Sequence, residues 1–170
     1  RMTPERDAET REALHRALAA GTAILDGGGS ALDAVEAAIR VLEDDPHFNA
    51  GRGAVFTADG TNELDSSIMD GANRKAGAVA GVTMTRHPIS LARAVMEKSQ
   101  HVMLSGRGAD AFSQEQRLEQ VDPSWFRTEE RWQQFQDLKG KPDTAARFDR
   151  EVKYGTVGAV ARDTSGNLAA

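Results

Sequence analysis

The chain has 170 residues, 39% of them hydrophobic and 28% charged, enough for one domain with a real core. Its formal net charge of −5 and pI near 5.4 argue against a nucleic-acid or anionic-membrane surface. Cysteine is absent, which rules out a disulfide framework or thiolate metal site; no apolar run approaches membrane length and no signal peptide is visible, which permits a cytoplasmic location.

Thr3 and Pro4 mark a helix start, with Asp7 as a rival cap. Leu14, Ala17, Leu18, Gly21 and Leu25 fall on one face of that helix. Gly27-Gly28-Gly29 ends it and is no phosphate loop, since no Gly-Lys-Ser/Thr follows. Ser30 with Asp33 resembles a capping box, Asp replacing the usual Glu. Leu32, Val35, Ile39 and Leu42 give the second helix an apolar core stripe, and Pro46 forbids its extension.

Next comes the short, turn-rich segment Pro46-His47-Phe48-Asn49-Ala50-Gly51-Arg52-Gly53. Its two glycines let several carbonyls face one point, a way of holding a hard cation through main-chain oxygens. Read from these residues alone, a tight helix-to-strand connection is the simpler account. Ala54-Val55-Phe56 reads as a strand turning at Asp59-Gly60 and returning over Leu64 to Met69. After a turn at Asp70–Asn73, Ala76 to Met84 reads as a strand of small and β-branched residues, whose glycines mark close packing by another layer. Pro88 opens a helix with Leu91, Ala94 and Val95 on its apolar face. His101–Leu104 is a brief strand, Ser105 to about Gln116 a helix, Asp122–Phe126 a turn with an aromatic anchor, and Thr128 to about Leu138 a charged helix.

From Lys139 to Lys153 the chain is polar, and Arg147, Arg150 and Lys153 read as a solvated linker. It feeds into Tyr154-Gly155-Thr156-Val157-Gly158-Ala159-Val160-Ala161, a β-type run followed by a turn at Asp163–Asn167. That arrangement suits a peptide bond meant to be cut. Cleavage before Thr156 leaves a threonine whose own α-amine serves as base; with a reference pKa of about 7.7–8.0, roughly a tenth of that amine is neutral at pH 7. Gly155 tolerates strained geometry. By spacing alone, an ordinary strand opening is the plainer reading.

Other chemistry is sparse. His15, His47, His87 and His101 lack paired metal spacing and read as surface or structural residues. Asp65 and Asp70, five residues apart on a strand, point to opposite faces; Asp65 reads as a hydrogen-bond acceptor and Asp70 as a turn residue. Asp44 and Asp45 read as a helix end.

Four blocks in register carry a resemblance: Asn49–Thr57, Glu63–Gly71, Lys75–Val82 and Gly155–Ala161. Together they resemble the plant-type L-asparaginase, or isoaspartyl peptidase, group of N-terminal-nucleophile hydrolases. The resemblance implies an α+β, four-layer αββα sandwich, split into α and β subunits that pair as an (αβ)2 dimer of heterodimers. On it, residues 1–170 form one partial domain: 1–155 belong to the α subunit, with a mobile linker at 139–154, and 156–170 begin the β subunit. Thr156 matches the nucleophile, Gly155 the residue before the scissile bond, and Asn49 an asparagine that orients the nucleophile. A structural sodium ion is implied on the main-chain carbonyls of Leu42, Glu43, Asp45, Phe48, Ala50 and Arg52, with no organic cofactor. The implied substrates are small molecules: β-aspartyl dipeptides and the side-chain amide of asparagine. A glycosylasparaginase is the rival within the fold, and a non-catalytic scaffold the rival of another class. The family's His-Gly-Gly-Ala-Gly strand is expected before Arg1. Its Thr-Ser-Thr-Gly-Gly stretch and the groups holding the substrate are expected beyond Ala170.

Overall fold

The computed structural model describes residues 3–139 and 156–170. Residues 140–154 of the expected 139–154 linker, and Gly155, therefore lie outside the described residues. Helix α1 spans Pro4–Asp26 and α2 spans Ala31–Asp44. The Thr3 hydroxyl accepts the Arg6 N–H at 3.2 Å and caps α1. Ser30 caps α2 by accepting the Asp33 N–H at 3.1 Å, and its own hydroxyl donates to Asp33 Oδ2 at 2.7 Å.

Helix α1 buries Ala13, Ala17 and Gly21, while Leu14 and Leu18 stay exposed. This corrects the leucine-bearing face expected above. The reason is proximity: a Cβ on Gly21 would sit 3.1 Å from the Ala34 carbonyl oxygen of α2. The two helices meet on small residues, and a leucine has no room between them. The apolar stripe of α2 is core as expected, with Val35, Ile39 and Leu42 buried.

Residues 54–56 do not form a strand. Side chains take the backbone groups that a sheet neighbour would need. Asn49 Oδ1 accepts the Val55 N–H at 2.9 Å, and Asn62 Nδ2 donates to the carbonyls of Ala54 and Val55 at 2.9 and 3.1 Å. Strand β1 is Leu64–Asp70 and pairs antiparallel with β2, Lys75–Val82. The Asp70 carboxylate holds their turn by accepting from the Ala72 N–H and from Asn73 Nδ2.

Helix α3, Pro88–Lys98, crosses from β2 to the parallel strand β3, Met103–Ser105. Helix α4 follows at Gly106–Glu115, a 3-10 turn at Pro123–Phe126, and α5 at Glu129–Leu138. Strands β4, Ala161–Arg162, and β5, Leu168–Ala169, form a hairpin beside β1. The turn between them closes through Asp163 and Asn167. The described sheet has five strands in the order β3-β2-β1-β5-β4. Pairing in the second hairpin starts only at Ala161, so of the expected run over 157–161 the residues up to 160 are not strand.

Helices α2 and α3 cover one face of the sheet, and α1 lies across α2. Val35, Ile39, Ile68, Val79, Val82, Leu91 and Val95 fill the space between. On the other face Ser67, Met69 and Met103 are exposed. The fold is a mixed α and β structure built on this sheet.

Candidate active site

The site grows from the end of α2. Asp45 breaks the helix, and its carboxylate accepts the His47 N–H at 3.0 Å and pairs with Arg16 at 2.8 Å. The chain then turns back so that the Arg52 N–H donates to the Glu43 carbonyl at 2.7 Å. Gly53 has φ +109°, and a Cβ there would lie 2.5 Å from the Pro46 oxygen and 2.7 Å from that of Phe48. Only glycine fits that position.

Three later residues grip this loop from outside. The Gly53 N–H donates to the Phe126 carbonyl at 3.1 Å. Arg131 Nε donates to the Gly53 carbonyl at 2.7 Å, with its side chain buried. The Arg52 guanidinium stacks 5.0 Å from the ring of Trp125, and Arg86 stacks on the same ring at 4.9 Å. Arg131 went unnoticed in the sequence because α5 is rich in Glu and Gln and reads as solvent-facing.

The loop opens onto a cleft of about 860 Å³ that runs along β1. Asn49, Ala50 and Gly51, Thr156 to Val160, and Glu63, Asp65 and Ser67 are among the residues that line it. Thr156 itself is exposed. The structure thus brings Thr156 and Asn49 to one cleft, although 107 positions separate them by their numbers (156 − 49). Asn49 uses its carboxamide oxygen on Val55. Asp65 also borders the cleft, but one carboxylate oxygen accepts the Gly81 N–H at 2.8 Å, as expected of a structural acceptor.

Of the six residues matched to a sodium site, Leu42, Glu43 and Asp45 are buried, Phe48 and Ala50 half-buried and Arg52 exposed. The carbonyls of Leu42, Glu43 and Asp45 each accept one main-chain N–H. A carbonyl oxygen retains a second lone pair. The space above Gly51 is bounded by the Glu43 carbonyl, and that above Gly53 by the carbonyls of Pro46 and Phe48. The carbonyl oxygens of Glu43, Pro46 and Phe48 therefore crowd the two glycines of this loop, and neutral main-chain oxygens are the donor type a hard cation takes.

The Glu43 side chain is a second feature the sequence did not reveal. It is buried, and Oε1 accepts the Ile89 N–H at 3.0 Å, capping the start of α3. Burial pushes this carboxyl well above the usual carboxylate range, and the charges of Asp44 and Glu36 push the same way. His87, also buried, lies 3.2 Å from Asp44 Oδ2 without hydrogen-bond alignment. Burial lowers its pKa below 6.5 despite that carboxylate. The two ring nitrogens of His47 lie 2.7 Å from Asp45 Oδ1 and 3.2 Å from Glu9 Oε2.

Comparison with known proteins bears on this arrangement. The isoaspartyl peptidase of Salmonella typhimurium (strain LT2) is 47% identical over 99% of this chain and 56% of its own length. That of Escherichia coli (strain K12) is 47% identical over 99% of the chain and 54% of its own. The isoaspartyl peptidase/L-asparaginase of Homo sapiens is 41% identical over 99% and 54% respectively. The chain spans about half the length of the curated relatives it matches. The family model described as asparaginase matches residues 1–170, and the chain belongs to that family.

Proposed function

We propose that this chain is part of a self-cleaving threonine hydrolase acting on β-aspartyl dipeptides and on the side-chain amide of asparagine. The observation that carries the reading is the placement of Thr156 and Asn49 on one cleft. In maturation the Thr156 hydroxyl attacks the Gly155 carbonyl. The acyl group moves from nitrogen to oxygen, and water hydrolyses the ester to free the Gly155 carboxylate and the Thr156 α-amine.

In turnover the amine accepts the hydroxyl proton as Thr156 attacks the substrate's β-carbonyl. The proton then passes to the departing amine or ammonia. A β-aspartyl ester remains on Thr156, and water releases aspartate. Fixed donors stabilising the tetrahedral oxyanion are worth about 3–4 kcal/mol each. Asn49 keeps its carboxamide N–H groups for orienting Thr156, since its oxygen is committed to Val55.

The four-layer αββα sandwich, the remaining β-subunit residues and the (αβ)2 dimer are part of the same reading. The exposed side of the sheet supports it: small Ala78 and Ala80 lie beside exposed Met69 and Met103, and because Ala78, Ala80 and Met103 also line the cleft, a second sheet about 10 Å away would form a wall of that cleft. A structural sodium ion belongs here too, held by the main-chain carbonyls of Leu42, Glu43, Asp45, Phe48, Ala50 and Arg52. Bound there, it would supply positive charge to the carbonyl dipoles of the loop that carries Asn49.

The test is intact-mass analysis of the full-length protein after incubation, with Thr156→Ala alongside. Two fragments beginning at Arg1 or upstream and at Thr156 are expected from the wild type, and one uncut chain from the variant. Release of leucine from β-aspartyl-leucine but no sugar from N-acetylglucosaminyl-asparagine is expected of the matured protein. Cleavage of Thr156→Ala at the wild-type rate overturns the proposal.

A further inference from the structure

We propose that Arg131 is a positioning residue for the cleft, acting through the Gly53–Val55 backbone on Asn49; this rests on the reading of Thr156 given above. Arg131 lies on α5 and is not among the residues that line the cleft. Its reach runs through hydrogen bonds already described. Nε donates to the Gly53 carbonyl at 2.7 Å from a buried position. The other polar atom of Gly53, its N–H, donates to Phe126 at 3.1 Å. Both polar atoms of Gly53 are therefore held by the 126–131 region.

Two residues on, the Val55 N–H donates to Asn49 Oδ1 at 2.9 Å. The orientation of the Asn49 carboxamide thus depends on where the 53–55 backbone sits. Gly53 is the weak point in that backbone, because its φ of +109° is reached by glycine at little steric cost and is as easily left. A charge-assisted bond from a planar guanidinium fixes direction as well as distance.

Helix α5 is itself anchored to the same stretch. Phe56 packs edge-on against Trp132 with ring centroids 5.2 Å apart, and against Phe135 at 5.6 Å. Arg127 stacks 4.0 Å from the Trp132 ring. A second bond, from the Arg131 terminal nitrogen to Gln134 Oε1 at 3.0 Å, holds the guanidinium plane. These contacts form a bracket that grips the site loop at the two peptide groups flanking the Gly53 Cα. Loss of the Arg131 contact displaces Asn49 without removing any group that faces Thr156.

The experiment uses the full-length protein with Arg131→Ala, Arg131→Lys, Asn49→Ala and the Arg131→Ala/Asn49→Ala double variant. Self-cleavage is timed by mass spectrometry, and amide hydrogen exchange is followed at Val55 and in α2 and α3. Arg131→Ala should slow cleavage about tenfold or more and speed exchange at Val55, with α2 and α3 unchanged. Arg131→Lys should recover part of the rate, since a lysine donates without fixing a plane.

In the Asn49→Ala background the Arg131 change should cost less than about twofold, because its effect passes through Asn49. Full multiplication of the two losses, or unchanged exchange at Val55, overturns the proposal. So does faster exchange throughout the molecule, which marks a merely structural role. If Arg131→Ala does not fold, Arg131→Lys with and without Asn49→Ala carries the same comparison. A wild-type protein that never cleaves while Val55 exchange responds as stated refutes the Thr156 reading but supports the link from Arg131 to Asn49.

Discussion

The carboxamide oxygen of Asn49 accepts the Val55 N–H at 2.9 Å. That bond separates two properties of one side chain. Aspartate at position 49 keeps an acceptor for Val55 but loses the N–H groups; alanine loses both. Asn49→Asp should therefore keep the wild-type melting temperature yet cleave slowly, whereas Asn49→Ala should also lose about 1 kcal/mol of stability. Thermal melts set beside cleavage time courses check this. Equal stability losses in both variants would show that the acceptor is unimportant.

Gly77 on β2 lies directly beneath α3. A Cβ there would sit 2.6 Å from the Met96 nitrogen and closer still to the Ala92 carbonyl oxygen. Neither backbone atom can yield without moving the helix, so Gly77→Ala should cost about 3 kcal/mol or more. Gly108, inside α4 with open space around it, makes the contrast. Gly108→Ala should add about 0.5–1 kcal/mol. Urea unfolding midpoints of the two variants should therefore move in opposite directions.

One contribution to stability should be lost as pH drops from about 6.5, opposed by the buried Glu43 carboxyl, which takes up its proton first in the folded state. The cause is His87, whose folded-state pKa burial holds below 6.5. The unfolded chain binds a proton there first, so the contribution is fully present above pH 6.5 and disappears as pH falls through the folded-state value. Asp44, Arg86 and Arg40 are the charged groups acting on it. The depressed carboxyls act at lower pH. Asp33 is held below its ordinary 3.8 by Ser30 and Arg93; burial raises Asp44, but Arg86 and His87 outweigh it. His87→Gln should change the stability slope between pH 7 and 5 and leave the Asp33 share of the loss below pH 4 intact. An unchanged slope between pH 7 and 5 would exclude His87 as its source.

A cation bound by the 42–52 carbonyls stabilises only the folded state. At a concentration 100 times its dissociation constant it contributes about 2.7 kcal/mol. The full-length protein should melt several degrees higher in sodium chloride than in choline chloride of equal ionic strength, at about 2–4 °C per kcal/mol. Identical melting in sodium, potassium, calcium and choline salts would count against the ion. No catalytic readout is involved, so the result does not depend on Thr156.

Much of this molecule is readable from local sequence. Thr3, Ser30 and Thr128 cap their helices as their side-chain oxygens require. The Val35–Ile39–Leu42 stripe is core, and Asp70 closes its turn. Such features depend on residues within a few positions, where spacing dictates geometry. The local pattern failed where a distant residue competed. Leu14 and Leu18 lost the inner face of α1 because α2 approaches too closely for them. Residues 54–56 are no strand because Asn49 and Asn62 took their hydrogen bonds.

The candidate site divides the same way. Thr156 stands out from its neighbours in the chain, whereas Asn49 is matched only through the resemblance carried by four blocks in register. That they share a cleft, that Arg131 is buried against Gly53, and that Glu43 caps α3 are facts of packing. Spacing cannot encode them, since each joins segments whose separation is fixed only when the sheet and helices close on one core.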